Sequence, residues 1–97
     1  MLSKEPIDLS KVKKEDIDKE ILRLGMIAEL DAINLYEQLA AKTKNKKIKK
    51  VLLDIAKEEK THAGEFETLL LEKDKEQVKE LEKGKKEVKE LTKWFLK

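Results

Sequence analysis

Hydrophobic residues in this chain recur every three to four positions, which is the spacing of one face of an α-helix. Glycine occurs at only three positions, and strand-like alternation is almost absent. We therefore predict an all-α fold. A first helix should begin between positions 10 and 14 and end near position 42, and a second should run from position 45 or 46 to position 72.

Polar stretches separate the predicted helices. The run "KTKNKK", Lys42–Lys47, breaks the first helix from the second, and Asp74 offers an N-cap for a third, weaker segment. Gly84 is expected to interrupt that segment. The residues after it form an amphipathic tail that we expect to dock on a partner surface, with its apolar side chains at Val88, Leu91, Trp94 and Phe95.

These elements predict one domain over residues 1–97. It comprises a polar lead at 1–13 that contains Pro6, a helical hairpin at 14–72 and a C-terminal helical segment at 74–97. A chain of this length buries a modest core, so association with another copy would stabilise it.

The middle of the first predicted helix is apolar on nearly all sides. Between positions 21 and 41 the charged residues are only Arg23, Glu29, Asp31 and Glu37. A helix that is apolar on most sides must be covered on most sides, and one partner helix cannot do that. We therefore expect two hairpins to pair and complete a four-helix bundle by dimerisation.

Each predicted helix carries an apolar stripe that is broken by side chains able to bind metal. At 100° per residue, positions 22, 25, 26, 29, 32, 33, 36 and 40 share one face of the first helix, and only Glu29 among them is charged. The second helix has a matching stripe from Leu52 to Leu70, in which the polar members are Glu59 and His62. Counted from the predicted turn between the two helices, Glu29, Glu59 and His62 lie at about the same height along the hairpin axis.

A buried ionised carboxylate is costly, and no lysine or arginine lies on either stripe to compensate it, since Arg23 points elsewhere. Divalent cations would offset that cost. Pairing two hairpins gives Glu29 twice and a Glu-x-x-His pair, Glu59 and His62, twice, which is the ligand set of dinuclear iron or manganese bundles. Such oxygen-rich ligands suit iron(II) or manganese(II), and a zincin is excluded because its motif needs two histidines.

Charge and composition limit the possible partners. Lys+Arg 23 against Asp+Glu 21 leaves a net charge of only +2, so we expect no nucleic-acid binding. The start "MLSKEPIDLS" lacks the apolar core of a signal peptide, and no run approaches the roughly 20 apolar residues that span a bilayer. We expect a soluble, cytoplasmic protein with no membrane partner.

Two blocks, "IAELDAINLYEQLA" at Ile27–Ala40 and "LLDIAKEEKTHAGEF" at Leu52–Phe66, resemble the encapsulated ferritins and their demi-rubrerythrin-like relatives. The resemblance extends more weakly over about residues 17–83. It implies a ferroxidase centre across a dimer interface, with iron bound as two ions per dimer and manganese or zinc as surrogates. By position, the implied ligands from both chains are Glu29, Glu59 and His62.

The resemblance also implies two further roles. Tyr36 matches a family tyrosine near the ferroxidase centre, and the alternative is that it is an ordinary core aromatic residue. Asp31 matches an acidic family position near a secondary metal site. Family members form a ring of dimers, a decamer, and their oxidised iron is stored inside an encapsulin shell. The end "TKWFLK" shows no docking peptide, so we expect a fused or truncated form.

Three hypotheses for function follow. The leading one is a ferroxidase that oxidises Fe(II) with O₂ for storage in an encapsulin nanocompartment. The second is a demi-rubrerythrin-like diiron peroxide reductase with an external electron donor, since the chain has no cysteine. The third is a structural hairpin module that dimerises without catalysis.

Overall fold

The computed structural model describes residues 8–95, and within this range the chain is helical without any strand. The all-α prediction is confirmed. The long helices are α1 (Ile17–Lys42), α2 (Lys46–Lys73) and α3 (Lys75–Thr92), and single 3₁₀ turns span Leu9–Lys11, Lys14–Asp16 and Lys93–Phe95. Pro6 and the side chain of Phe95 lie outside the described part.

Helix α1 begins at Ile17, later than the sequence pattern predicted. The early end of the expected range, Ser10, is wrong because Asp8 caps a separate 3₁₀ turn, its Oδ1 accepting hydrogen bonds from the backbone N–H and the hydroxyl of Ser10. Val12 follows in an extended conformation, with φ −93° and ψ 133°, which stops the turn from continuing as a helix. At the late end of the range, the 3₁₀ turn Lys14–Asp16 runs directly into α1.

A three-residue connection joins α1 to α2 in an antiparallel hairpin. Thr43 is extended and its N–H donates to the carbonyl of Leu39, which closes α1. Asn45 is the N-cap of α2, and its side chain accepts from the N–H of Ile48 at 3.0 Å. The break between α1 and α2 therefore lies within the polar run Lys42–Lys47, as predicted.

The hairpin core is narrow. Its buried members within the described residues are apolar, two on α1 and two on α2: Ile33, Ala40, Ala56 and Leu70. The helices pack tightly at Gly25, because a Cβ added there would meet the ring of Phe66 at 2.8 Å. The absence of a side chain at Gly25 thus makes room for an aromatic ring of α2.

Helix α3 starts at the open end of the hairpin. Asp74 ends α2 and caps α3, its side chain accepting from the N–H of Gln77 at 3.0 Å, while its other oxygen pairs with Arg23 of α1 at 2.9 Å. The helix then runs unbroken to Thr92, so the predicted interruption at Gly84 is wrong. A single glycine among lysines, glutamates and leucines costs too little to end a helix.

Only the first turns of α3 pack on the hairpin. Leu81 shares a cavity of about 380 Å³ with apolar residues of α1 and α2, among them Ile27, Leu30 and Leu71. Further along, Val88 and Leu91 are exposed. In the described part of the chain, no helix is both long and apolar enough to cross a bilayer.

Candidate metal centre

The two helices bring Glu29, Glu59 and His62 together near the middle of the hairpin. Nδ1 of His62 lies 3.6 Å from Oε2 of Glu29 and 3.6 Å from Oε2 of Glu59. One ligand atom from each residue lies within 4.8 Å of the others, and among the described residues this is the group that could hold a metal ion.

These distances fit a shared cation better than direct contacts. At 3.6 Å the side chains are too far apart for good hydrogen bonds. Two donors that each lie about 2.1 Å from one ion, at angles of 90–120°, are about 3.0–3.6 Å apart. The site therefore has the spacing and the donor types, two carboxylates and an imidazole, that a divalent first-row metal requires.

Glu29 carries the strongest sign of an absent partner. Its Oε2 atom is buried and has no hydrogen-bond partner among the described residues. The whole side chain is 18% exposed, and the side chain of Glu59 is 21% exposed. Buried polar atoms are nearly always satisfied, so an orphaned carboxylate oxygen beside another carboxylate and a histidine indicates a cation site.

Among the described residues, no lysine or arginine forms an ion pair with this group. Within the described residues, the ion-pair contacts of Glu29 and Glu59 are with His62. Arg23 points away, as predicted, and pairs instead with Glu20 and Asp74. The described basic side chains therefore leave the negative charge of the site unbalanced.

The site opens on one side of the hairpin. The side chain of His62 is 46% exposed, whereas the two carboxylates are largely covered. By helical position, exposed large apolar residues share this side of the hairpin with His62, about two to three turns away along the helices: Ile21, Leu39, Val51 and Leu69. We call this surface the site face.

The remaining predicted site residues take different positions. Tyr36 is half-buried and lies seven residues after Glu29, on nearly the same line of α1. Asp31 is half-buried and lies two residues after Glu29, about 200° around the helix, so it is not part of the three-residue group. A role for Tyr36 and a secondary metal site at Asp31 stay predictions.

One supporting contact was not anticipated. Gly25 lies one turn before Glu29 and Phe66 one turn after His62, and their contact packs the helices directly beside the ligands. The sequence contained a signal, a glycine inside an otherwise apolar stripe, since such glycines often mark close approach of neighbouring elements. This contact fixes the spacing of α1 and α2 at the site.

Comparison with known proteins agrees with this architecture. The rubrerythrin family model matches residues 20–97. The structure is similar to the encapsulated ferritin domain from Pyrococcus furiosus, with a TM-score of 0.82, 54% identity, and coverage of 95% of this chain and 96% of that one.

Two curated relatives are longer than this chain. A ferritin-like–encapsulin shell fusion protein of Pyrococcus furiosus is 56% identical over 84 residues, which is 84% of this chain and 24% of the relative. The encapsulin nanocompartment cargo protein EncC of Myxococcus xanthus is 39% identical over 71 residues, 70% of this chain and 55% of the relative. The chain thus spans about a quarter and about half of these proteins, and it belongs to the rubrerythrin family and, within it, to the encapsulated ferritins.

Proposed function

We propose that two copies of this chain pair through their site faces and form a dinuclear ferroxidase centre from Glu29, Glu59 and His62 of each copy. The observation that carries the proposal is the buried, unpartnered Oε2 of Glu29 facing a second carboxylate and an imidazole. Each hairpin supplies half of the ligand set that ferritin-like bundles use for two irons.

The charges of the ligands suit two Fe(II) ions as substrate. Four carboxylates from two copies balance two divalent cations, while each imidazole of His62 binds as a neutral ligand through Nδ1, the atom that faces the carboxylates. The largely covered glutamates hold their oxygens in place, and the apolar residues of the site face exclude bulk water once two copies meet.

The reaction at this site is oxidation of Fe(II) by O₂. Two Fe(II) ions give up one electron each, and O₂ takes the two electrons and two protons to become hydrogen peroxide. We place Tyr36 beside this centre as a residue that tunes oxidation, since it shares the line of Glu29 on α1.

We further propose that the ferric product is stored inside an encapsulin compartment in the cytoplasm, with the chain as cargo or as one part of a longer shell protein. The support is the likeness to one relative described as a shell fusion and another described as a nanocompartment cargo protein. A ring of dimers, such as a decamer, would present several centres to the same compartment.

Stopped-flow mixing of anaerobic Fe(II)-loaded protein with O₂ tests the proposal. Glu29→Gln, Glu59→Gln and His62→Ala should each slow the appearance of ferric absorbance by roughly a hundredfold or more, because losing a ligand removes the centre. Glu58→Gln is the matched control, since Glu58 is exposed beside Glu59, and it should react at the parent rate. Unchanged rates in all three ligand variants would contradict a ferroxidase at this site.

A peroxide reductase is the second candidate, and the match to the rubrerythrin model favours it. Mixing the reduced, iron-loaded protein with either H₂O₂ or O₂ separates the two functions. Oxidation much faster with H₂O₂ than with O₂ indicates the reductase, whereas rapid oxidation by O₂ indicates the ferroxidase. Folding and pairing that are indifferent to iron, without oxidation by either reagent, would favour the structural module.

A further inference from the structure

The three candidate ligands lie on two separate helices. Glu59 and His62 are three residues apart on α2, so the geometry of that helix largely sets their separation. Glu29 lies on α1, and its Oε2 is 3.6 Å from Nδ1 of His62 across the interface of the two helices. The spacing of α1 and α2 at this level therefore decides where one ligand lies relative to the other two.

On the turn side of the site, buried apolar residues hold the helices together. Ile33 lies one turn after Glu29 on α1 and is 8% exposed. Ala56 lies one turn before Glu59 on α2 and is 1% exposed. Both residues belong to the hairpin core, so the spacing of the helices is fixed on this side by ordinary core packing.

On the open side of the site, the helices meet through a glycine and an aromatic ring. Gly25 lies one turn before Glu29, and Phe66 lies one turn after His62. A Cβ added at Gly25 would meet Cδ1 and Cε1 of Phe66 at 2.8 Å and its Cζ at 3.0 Å. The ring therefore rests against the backbone of α1, and its size sets the spacing of the helices there.

Rotation of the ring of Phe66 about its own axis cannot relieve this contact. Its Cζ atom lies on the χ2 axis, so turning the ring leaves Cζ 3.0 Å from a Cβ added at Gly25. The other torsion, χ1, is confined to a few staggered values in a helix. A methyl group at position 25 would therefore push the helices apart, and a smaller side chain at position 66 would let them come together.

We infer that Gly25 and Phe66 are positioning residues, which set the distance between Glu29 and His62 and thereby the divalent ion that the site prefers. The inference rests on the metal site proposed above and adds what tunes it. The donor atoms are the same for every ion, so the ligand spacing discriminates between ions of different size. Wider spacing favours a larger ion, and narrower spacing favours a smaller one.

Binding of Mn(II) and Zn(II) to the full chain tests this inference without any redox step. Mn(II) is the larger ion, and the six-line electron paramagnetic resonance signal of free Mn(II) gives its dissociation constant. Competition by Zn(II) gives the second constant. Gly25→Ala should shift the ratio of the two constants about threefold or more towards Mn(II), and Phe66→Leu should shift it by a similar factor towards Zn(II).

The double variant Gly25→Ala/Phe66→Leu separates positioning from stability. Leucine leaves room for the added methyl group, so the ratio should return to within about twofold of the parent value. A purely structural role of the contact would lower both affinities together, because an unfolded chain loses the site for both ions.

Two further variants are controls. Gly64 lies two residues after His62, and a Cβ added there meets nothing within 4 Å among the described residues. Gly64→Ala should therefore keep the parent ratio. Leu70 is 5% exposed and lies about two turns from His62, so Leu70→Ala should lower stability and leave the ratio unchanged.

An unchanged ratio in Gly25→Ala and Phe66→Leu, or a shift in the same direction in both, would overturn the inference. Each variant has its own predicted direction, so if one does not fold, the other still decides. Unchanged ratios with rapid iron oxidation by the parent would refute this inference alone. Opposite shifts without iron oxidation would refute the ferroxidase alone, and a parent chain that binds neither ion would refute the metal site and both proposals.

Discussion

At the scale of single residues, Glu29 should lower the stability of the metal-free protein while serving as a proposed metal ligand. Its buried Oε2 has no hydrogen-bond partner in the part of the chain that the structure describes, so burying this carboxylate costs stability in the metal-free protein. We predict that Glu29→Gln raises the free energy of unfolding of the metal-free protein by about 1–3 kcal/mol, because the uncharged amide is cheaper to bury. Urea unfolding at neutral pH, with a chelator present, measures the difference.

Glu37→Gln is the matched control for that change. Glu37 lies on the same helix but is exposed and pairs with Lys60 at 2.8 Å, so its loss should lower stability by less than about 1 kcal/mol. The two substitutions should therefore change the free energy of unfolding in opposite directions. Destabilisation by Glu29→Gln without metal would mean that the fold satisfies this carboxylate without metal, and the argument for a cation site would fail.

Gly25 and Gly84 make a second matched pair, since each lies inside a helix. Gly25→Ala should destabilise the protein by about 1–3 kcal/mol, because the added methyl meets the ring of Phe66 at 2.8 Å. Gly84→Ala has nothing within 4 Å of the added methyl and should stabilise α3 by about 0.5–1 kcal/mol. Thermal and urea unfolding of both variants test the pair, and equal effects would contradict the close packing at Gly25.

At the scale of the elements, Asp74 joins α3 to the hairpin in a pH-dependent way. The N–H of Gln77, and then the charges of Lys19 and Arg23, lower the pKa of Asp74 below its usual 3.8, although burial opposes them. The fold thus favours the carboxylate. Its stabilising contribution is complete above pH 3.8 and is lost as the pH falls through the lowered pKa of the folded state.

Asp74→Asn isolates this effect, because asparagine also caps helices but cannot ionise. The variant should be less stable than the parent at neutral pH, and the difference should shrink as the pH falls below 3.8. Urea unfolding over a series of pH values, followed by circular dichroism, gives the difference. A constant difference across the series would exclude the ionisation of Asp74 as its cause.

The elements also show which structural features can be predicted from the sequence. Glu29, Glu59 and His62 were predictable as a group because the turn and rise of a helix are nearly constant, so spacing alone gives face and level. The start of α1 was not, because Asp8 and Ser10 form a competing local turn. Arg23 and Asp74 are 51 residues apart, and no local pattern predicts their contact.

At the scale of the whole molecule, the single chain is less compact than a self-contained domain of the same length. Its radius of gyration is 17.2 Å, whereas a compact domain of this length has about 12 Å. Large apolar side chains stay exposed on the site face and along α3, including Ile21, Val51 and Val88. Exposed apolar surfaces of this kind indicate association, which explains why the sequence predicts a bundle that one chain does not complete.

Pairing and metal binding should therefore be linked, and this gives the last prediction. If each copy supplies half of the site, Fe(II) binds paired chains in preference to single ones, so adding it anaerobically shifts single chains into pairs. Native mass spectrometry should show two irons per pair and bare single chains. Glu59→Gln should still pair through the apolar site face but retain no iron. Iron bound equally by single chains would mean that one hairpin suffices, and the shared centre would have to be abandoned.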